Sequence, residues 1–116
     1  MIKQDYLIRM IQEILALLVN VILNKKKLRQ HEWEEYDDLT KQILGYSTET
    51  LLDKSASMLI EEYSKDTDCF DKLELAAMYQ LKIADSLNDD NLVLRSKLRH
   101  EALQLLKYIQ IGRAHV

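Results

Sequence analysis

Residues 69–110 read CFDKLELAAMYQLKIADSLNDDNLVLRSKLRHEALQLLKYIQ, and their reading decides the fold. Phe70, Leu73, Ala77, Leu81, Ala84 and Leu87 recur at steps of three and four, the period of a helix with one buried face. Asp68 stands where a helix cap belongs, and the run Asn88, Asp89, Asp90 and Asn91 interrupts the pattern with residues that favour turns. A second stripe follows in Leu94, Leu98, Ala102, Leu105 and Ile109. Acids precede it, and Arg95, Lys97, Arg99 and Lys107 lie along it, the order that suits the helix dipole. Two helices joined by so short a connection form an antiparallel hairpin, and Ala76, Ala77, Ala84 and Ala102 let the backbones approach closely.

The rest of the chain agrees with a helical reading. Its 116 residues are 47% hydrophobic and include two glycines, no proline, one Phe and one Trp, too few turn-formers for a many-stranded sandwich or barrel. One domain is expected at this length. The fold class is therefore all-α, with helices near 3–24, 28–44, 55–65, 69–87 and 90–110 and no strand. The core is expected around Ile11, Ile14, Leu18, Leu39, Ile43, Leu59, Leu73, Leu81, Leu98 and Leu105. Gly45 follows the last apolar residue of the second helix and can stop it in the left-handed conformation. Ser47 or Thr48 can begin a short turn, and Ser55 can cap the third helix. The later helices resemble tetratricopeptide hairpins, although a second copy at the period of about 34 residues is missing.

The first helix is the apolar one. Arg9, Glu13, Asn20 and Asn24 share a narrow stripe with Tyr6 and Ala16, and the remaining circumference is almost entirely aliphatic, wider than one packing contact covers. A membrane span needs about 20 apolar residues, whereas the longest unbroken run here covers residues 14–19, so spanning is not expected. Nor is export, because Glu13 precedes the apolar stretch and Lys25, Lys26 and Lys27 follow it, unlike a cleaved leader. Those lysines fit a helix C-terminus. An apolar surface of this extent marks a contact site, so self-association or docking of a protein partner is expected through Leu7, Ile11, Ile14, Leu18 and Ile22, whichever the domain leaves uncovered. The alternative is a peripheral membrane protein with this helix on the lipid and Lys25, Lys26 and Lys27 at the headgroups.

Charge and motif content exclude most chemistry. The formal net charge is −3, with thirteen acids against four Lys and Arg in residues 31–74, so a nucleic-acid partner is not expected. Arg95, Lys97 and Arg99 form the one candidate patch for such a partner, without an aromatic platform. His31 begins a helical zinc pattern whose second histidine position holds Glu35, so no metal site is expected. Phosphate-binding glycine loops and nucleophile elbows are absent. Cys69 lies among acids that oppose a thiolate, and a single cysteine suits a reducing compartment, here the cytoplasm. Asp37 and Asp38 read as a solvated helix face. No enzyme activity, cofactor or small-molecule substrate is expected.

Two features concern the ends. Residues 111–116, Ile111, Gly112, Arg113, Ala114, His115 and Val116, match letter for letter one reading frame of a common sequencing-library adapter. They are expected to be a non-native tail on a single helical domain of residues 1–110, truncated at its natural C-terminus. At the other end, the opening through Asp5, Tyr6, Leu7, Arg9, Met10 and Ile11 resembles that of a family of short bacterial proteins known only as a domain of unknown function. The resemblance implies an intracellular, all-helical bacterial protein with a very apolar first helix, tetratricopeptide-like helices after it, and no assigned activity.

Overall fold

The computed structural model describes residues 4–45 and 47–115. Five α-helices form: α1 at Gln4–Leu23, α2 at Gln30–Leu44, α3 at Ala56–Tyr63, α4 at Cys69–Ser86 and α5 at Leu92–Ala114. Single 3₁₀ segments at Thr48–Asp53 and Asp89–Asn91 lead into α3 and α5, and the described residues contain no strand. Lys3 and Val116, which the expected first helix and tail include, lie outside the described residues.

The centre of the fold is α4, which packs against α5 most extensively and also against α1, α2 and α3. Its sequence explains that position, because Leu73, Leu75, Ala76, Ala77, Tyr79, Gln80 and Ala84 are all buried and leave little of the helix for solvent. The alanines keep its cylinder narrow where neighbours converge. From α5, Leu98, Ala102, Leu105 and Ile109 complete the hairpin core. Two expected core residues, Leu39 and Leu81, are instead half-buried at its margin. Leu73, Ala77 and Ala84 of the expected stripe are fully buried, and so are Leu75, Ala76, Tyr79 and Gln80, which the stripe did not include.

Specific polar contacts fix the connections. α2 ends at Gly45, whose φ of +93° is left-handed and whose N–H donates to the Lys41 carbonyl at 2.8 Å. The short α3 is capped twice: the Ser55 Oγ accepts from the Met58 N–H at 3.2 Å, and the Glu101 carboxylate of α5 accepts from the Ala56 N–H at 2.8 Å. At the other end of α3, the buried Tyr63 hydroxyl donates to the Leu44 carbonyl at 2.6 Å, tying α3 to the last turn of α2. The Gln80 amide donates to the Leu51 carbonyl at 3.3 Å and holds the first 3₁₀ segment on α4.

α5 does not stop at residue 110 as expected, but runs through Ala114. Gly112 lies against the Phe70 ring with no room for a Cβ. Arg113 reaches Asp71 at 3.3 Å and Glu74 at 3.5 Å on α4. Gly112 does not end this helix because its neighbours on both sides keep the helical path, and the small side faces a ring that a larger residue would displace.

Candidate functional site

Along α1 the residues closest to α4 are Ile11, Ile14 and Leu18, at 0%, 1% and 0% exposure. They follow the i, i+3, i+7 spacing of a single narrow stripe. Leu7, Met10 and Leu15 pack at its edges as half-buried residues. Beyond those edges the helix remains apolar. Ile8, Leu17 and Val21 are half-buried, and Tyr6, Val19 and Leu23 are 59%, 39% and 72% exposed. By length and composition α1 could cross a membrane, with a mean hydropathy of 1.8; Ile11, Ile14 and Leu18 are its fully buried residues and most of its other apolar residues are half-buried.

Of the five residues expected to form an interaction face, Ile11, Ile14 and Leu18 are thus taken up by the domain, and Leu7 and Ile22 are half-buried. The exposed aliphatic residues lie to the side, at Val19 and Leu23, with the half-buried Ile8 next to them. Their position was readable on the helical wheel: the middle of a broad apolar arc is the part that packs first, and the flank remains.

A polar cluster that the sequence reading missed lies between α2 and α4. Asp37, read as solvated, is half-buried, beside the buried Thr40 and Tyr79 and close to Lys82. Burial raises the Asp37 carboxyl above its ordinary range, and the Lys82 charge and the Tyr79 hydroxyl only partly oppose that shift. The same burial lowers the Lys82 ammonium, against the pull of Asp37. Tyr79 is held strongly in its neutral phenol form, first by burial. Lys82 lies 3.6 Å from the Trp33 ring centroid, so the indole face takes over part of the solvation that burial removes. The buried oxygens Asp37 Oδ1, Thr40 Oγ1, Tyr79 Oη and Gln80 Oε1 make no hydrogen bond of standard geometry. The signal for this cluster was present in the sequence: Trp33, Asp37 and Thr40 fall within two turns of one helix face, although only the fold shows that Tyr79 and Lys82 meet them.

Surface depressions lie elsewhere. One, of about 430 Å³, follows the start of α5 beside Leu92, Val93 and Lys97. The other, of about 480 Å³, runs between α3 and α5, where Ile60, Tyr108 and Ile111 alternate with His100, Glu101 and Gln104. Both are shallow, and the second is mixed in polarity.

The remaining candidates are placed as follows. His31, Glu35 and His100 are exposed, and the described residues contain no group of three or more His, Cys, Asp or Glu able to hold a metal. Cys69 is half-buried at the start of α4, where burial and then the charges of Asp66 and Asp68 push its thiol up and keep it protonated. In the basic cluster, Arg95 is not free, because it donates to the Leu87 carbonyl and lies 3.7 Å from Asp89. Lys97 and Arg99 remain exposed.

Against known proteins, residues 1–112 match a family of unknown function (DUF6483). No curated protein and no solved structure matches the chain.

Proposed function

The chain belongs to that family of unknown function, and from that premise we propose that it is a non-enzymatic interaction module that docks through the outer flank of α1. The observation that carries the reading is the mismatch between the composition of α1 and its burial: in a helix of mean hydropathy 1.8 only Ile11, Ile14 and Leu18 are fully buried, while Val19 and Leu23 are 39% and 72% exposed. Apolar surface on this scale is costly to leave in water, at about 25 cal/mol per Å², and a second surface that removes it from solvent gains that free energy. The non-enzymatic reading is supported by the two groups of shifted titratable residues, Asp37 with Tyr79 and Lys82 and Cys69 with Lys72, lining neither of the two depressions. A bacterial cytoplasm is the proposed setting, consistent with the single, protonated Cys69. In this reading α4 and α5 pair in tetratricopeptide style and serve as the platform that presents α1.

A second reading has α1 lying on a lipid surface, and it draws on the exposed Lys25, Lys26 and Lys27 just beyond the exposed Leu23 and Asn24. The narrow polar stripe of the helix favours a protein surface instead, since an interfacial helix carries a broad charged face. Sedimentation equilibrium of the full chain and of Leu23→Glu over a wide concentration range, with flotation on anionic vesicles alongside, separates the readings. The proposal expects a mass above that of the monomer, lost in the variant without loss of helix content. A monomer at every concentration that also ignores vesicles and captures no partner would overturn it.

A further inference from the structure

We propose that the first part of α2, residues 30–39, is a hinged flap over Tyr79 and Lys82 of α4, and that a proton on the Asp37 carboxyl closes it. The flap is independent of what docks on α1.

Burial divides α2 into two parts. Its fully buried residues, Thr40, Ile43 and Leu44, all lie within residues 40–44, where the Tyr63 hydroxyl also holds the Leu44 carbonyl. Over residues 30–39 every side chain is exposed or half-buried, and Trp33, Tyr36 and Leu39 only rest against the core. Residues 25–29, which lead into the helix, have no regular structure and reach α4 through the solvated pair of Lys25 with Asp85 at 3.2 Å. The helix is thus anchored at its end and loosely tethered at its start, which places the hinge next to Thr40.

The contacts under the flap are polar. Asp37 stands beside the hydroxyls of Thr40 and Tyr79, yet Asp37 Oδ1, Thr40 Oγ1 and Tyr79 Oη make no hydrogen bond of standard geometry. The titratable groups that face this point are Tyr36 and Asp38 on α2 and Tyr79 and Lys82 on α4. Lys82 is the cation among them, but its ammonium sits over the Trp33 ring at 3.6 Å from the centroid. Asp37 is left outside the ion pairs of the described residues. A carboxylate in this position is partly desolvated without a matched partner, and lifting the flap returns it to water. The protonated acid carries no such penalty, and its hydrogen can be accepted by the Tyr79 or Thr40 oxygen. Burial accordingly raises the Asp37 carboxyl above its ordinary range. The closed flap therefore binds this proton more tightly than the open one, and falling pH favours closure. Acidification leaves Lys82 charged, so Asp37 is the group under the flap that changes.

Hydrogen exchange of the full chain, expressed as protection factors corrected for the intrinsic rate at each pH, tests the flap. A released segment this short does not hold a helix alone, so the amides of residues 34–39 report opening. From about pH 7 to about pH 4 their protection is expected to rise about threefold to tenfold, since one unit of carboxyl shift is a tenfold bias, while Ile43 and Leu44 rise by less than about twofold. Asp37→Asn is expected to show the higher protection already at pH 7 and to lose the response, whereas Asp38→Asn keeps it. Trp33, the one tryptophan of the chain, supplies a second readout. Its quenching by acrylamide should fall over the same pH range in the native chain and be low throughout in Asp37→Asn. Protection of residues 34–39 that ignores pH would overturn the proposal. So would an equal response at Ile43 and Leu44, or an Asp37→Asn chain that titrates like the native one.

Discussion

Asp37 is a carboxylate whose surroundings work against its charge, and that makes its pH dependence informative. Its folded-state affinity for the proton is raised above the ordinary value, so the folded chain binds that proton more tightly than the unfolded one and the residue contributes stability as pH falls through the raised value. At neutral pH the charged form is a net cost, because burial outweighs the attraction of Lys82. Asp37→Asn is therefore expected to stabilise the chain at pH 7 by up to about 1 kcal/mol, and the gain should shrink as pH falls and vanish below about pH 3, where both states are protonated. Urea midpoints at the two pH values check this, and a loss at pH 7 would show that pairing with Lys82 outweighs burial. Glu101 makes the opposite kind of contribution, since its carboxylate supplies an acceptor to the first N–H of α3 from across the fold. Glu101→Ala is expected to cost about 1–2 kcal/mol, and Glu101→Gln, which keeps an oxygen acceptor, to recover most of it in thermal unfolding.

At the scale of the element, α1 has two faces with separable roles. Leu18 is fully buried, so Leu18→Ala is expected to cost about 2–5 kcal/mol, whereas Val19→Glu, one residue on, is expected to change the stability of the monomer by less than about 0.5 kcal/mol. Denaturation at low protein concentration measures both, and comparable losses would place Val19 in the monomer core. The last turn of α5 carries less. Ile111 is 61% exposed and the ion pairs of Arg113 are partly solvated, so removal of residues 111–116 is expected to lower the melting temperature by no more than a few degrees. The course of that turn was not legible in advance. A glycine after a helical run reads as a stop, and only the placement of the Phe70 ring against Gly112 shows why a small residue suits a continuing helix there. Gly45 could be read correctly because its left-handed conformation is local to the chain. The helices themselves were legible for the same reason: caps and apolar period are written in neighbouring residues, as at Ser55 and along Leu98, Ala102, Leu105 and Ile109.

For the whole molecule, α4 at the centre determines what remains uncovered. It receives α2, α3 and α5 on its other sides and meets α1 along one stripe, so a helix apolar over most of its circumference is covered over only part of it. The sequence reading recognised that α1 carries more apolar surface than one contact needs and placed Ile11, Ile14 and Leu18 in the core, where they lie, but the residues it offered for the uncovered face did not include Val19 and Leu23, because no local pattern states which arc of a broad apolar helix the rest of the chain will choose. The cluster of Asp37, Thr40, Tyr79 and Lys82 was hidden for a related reason, being split between two helices far apart in sequence. Carbene footprinting resolved by residue separates the inner stripe of α1 from its outer docking flank. In dilute protein, Ile8, Val19 and Leu23 are expected to label heavily while Ile11, Ile14 and Leu18 stay protected, and in concentrated protein the outer three are expected to lose their label. Protection of Val19 and Leu23 in dilute monomer, or labelling of the outer flank unchanged by concentration, would contradict the account.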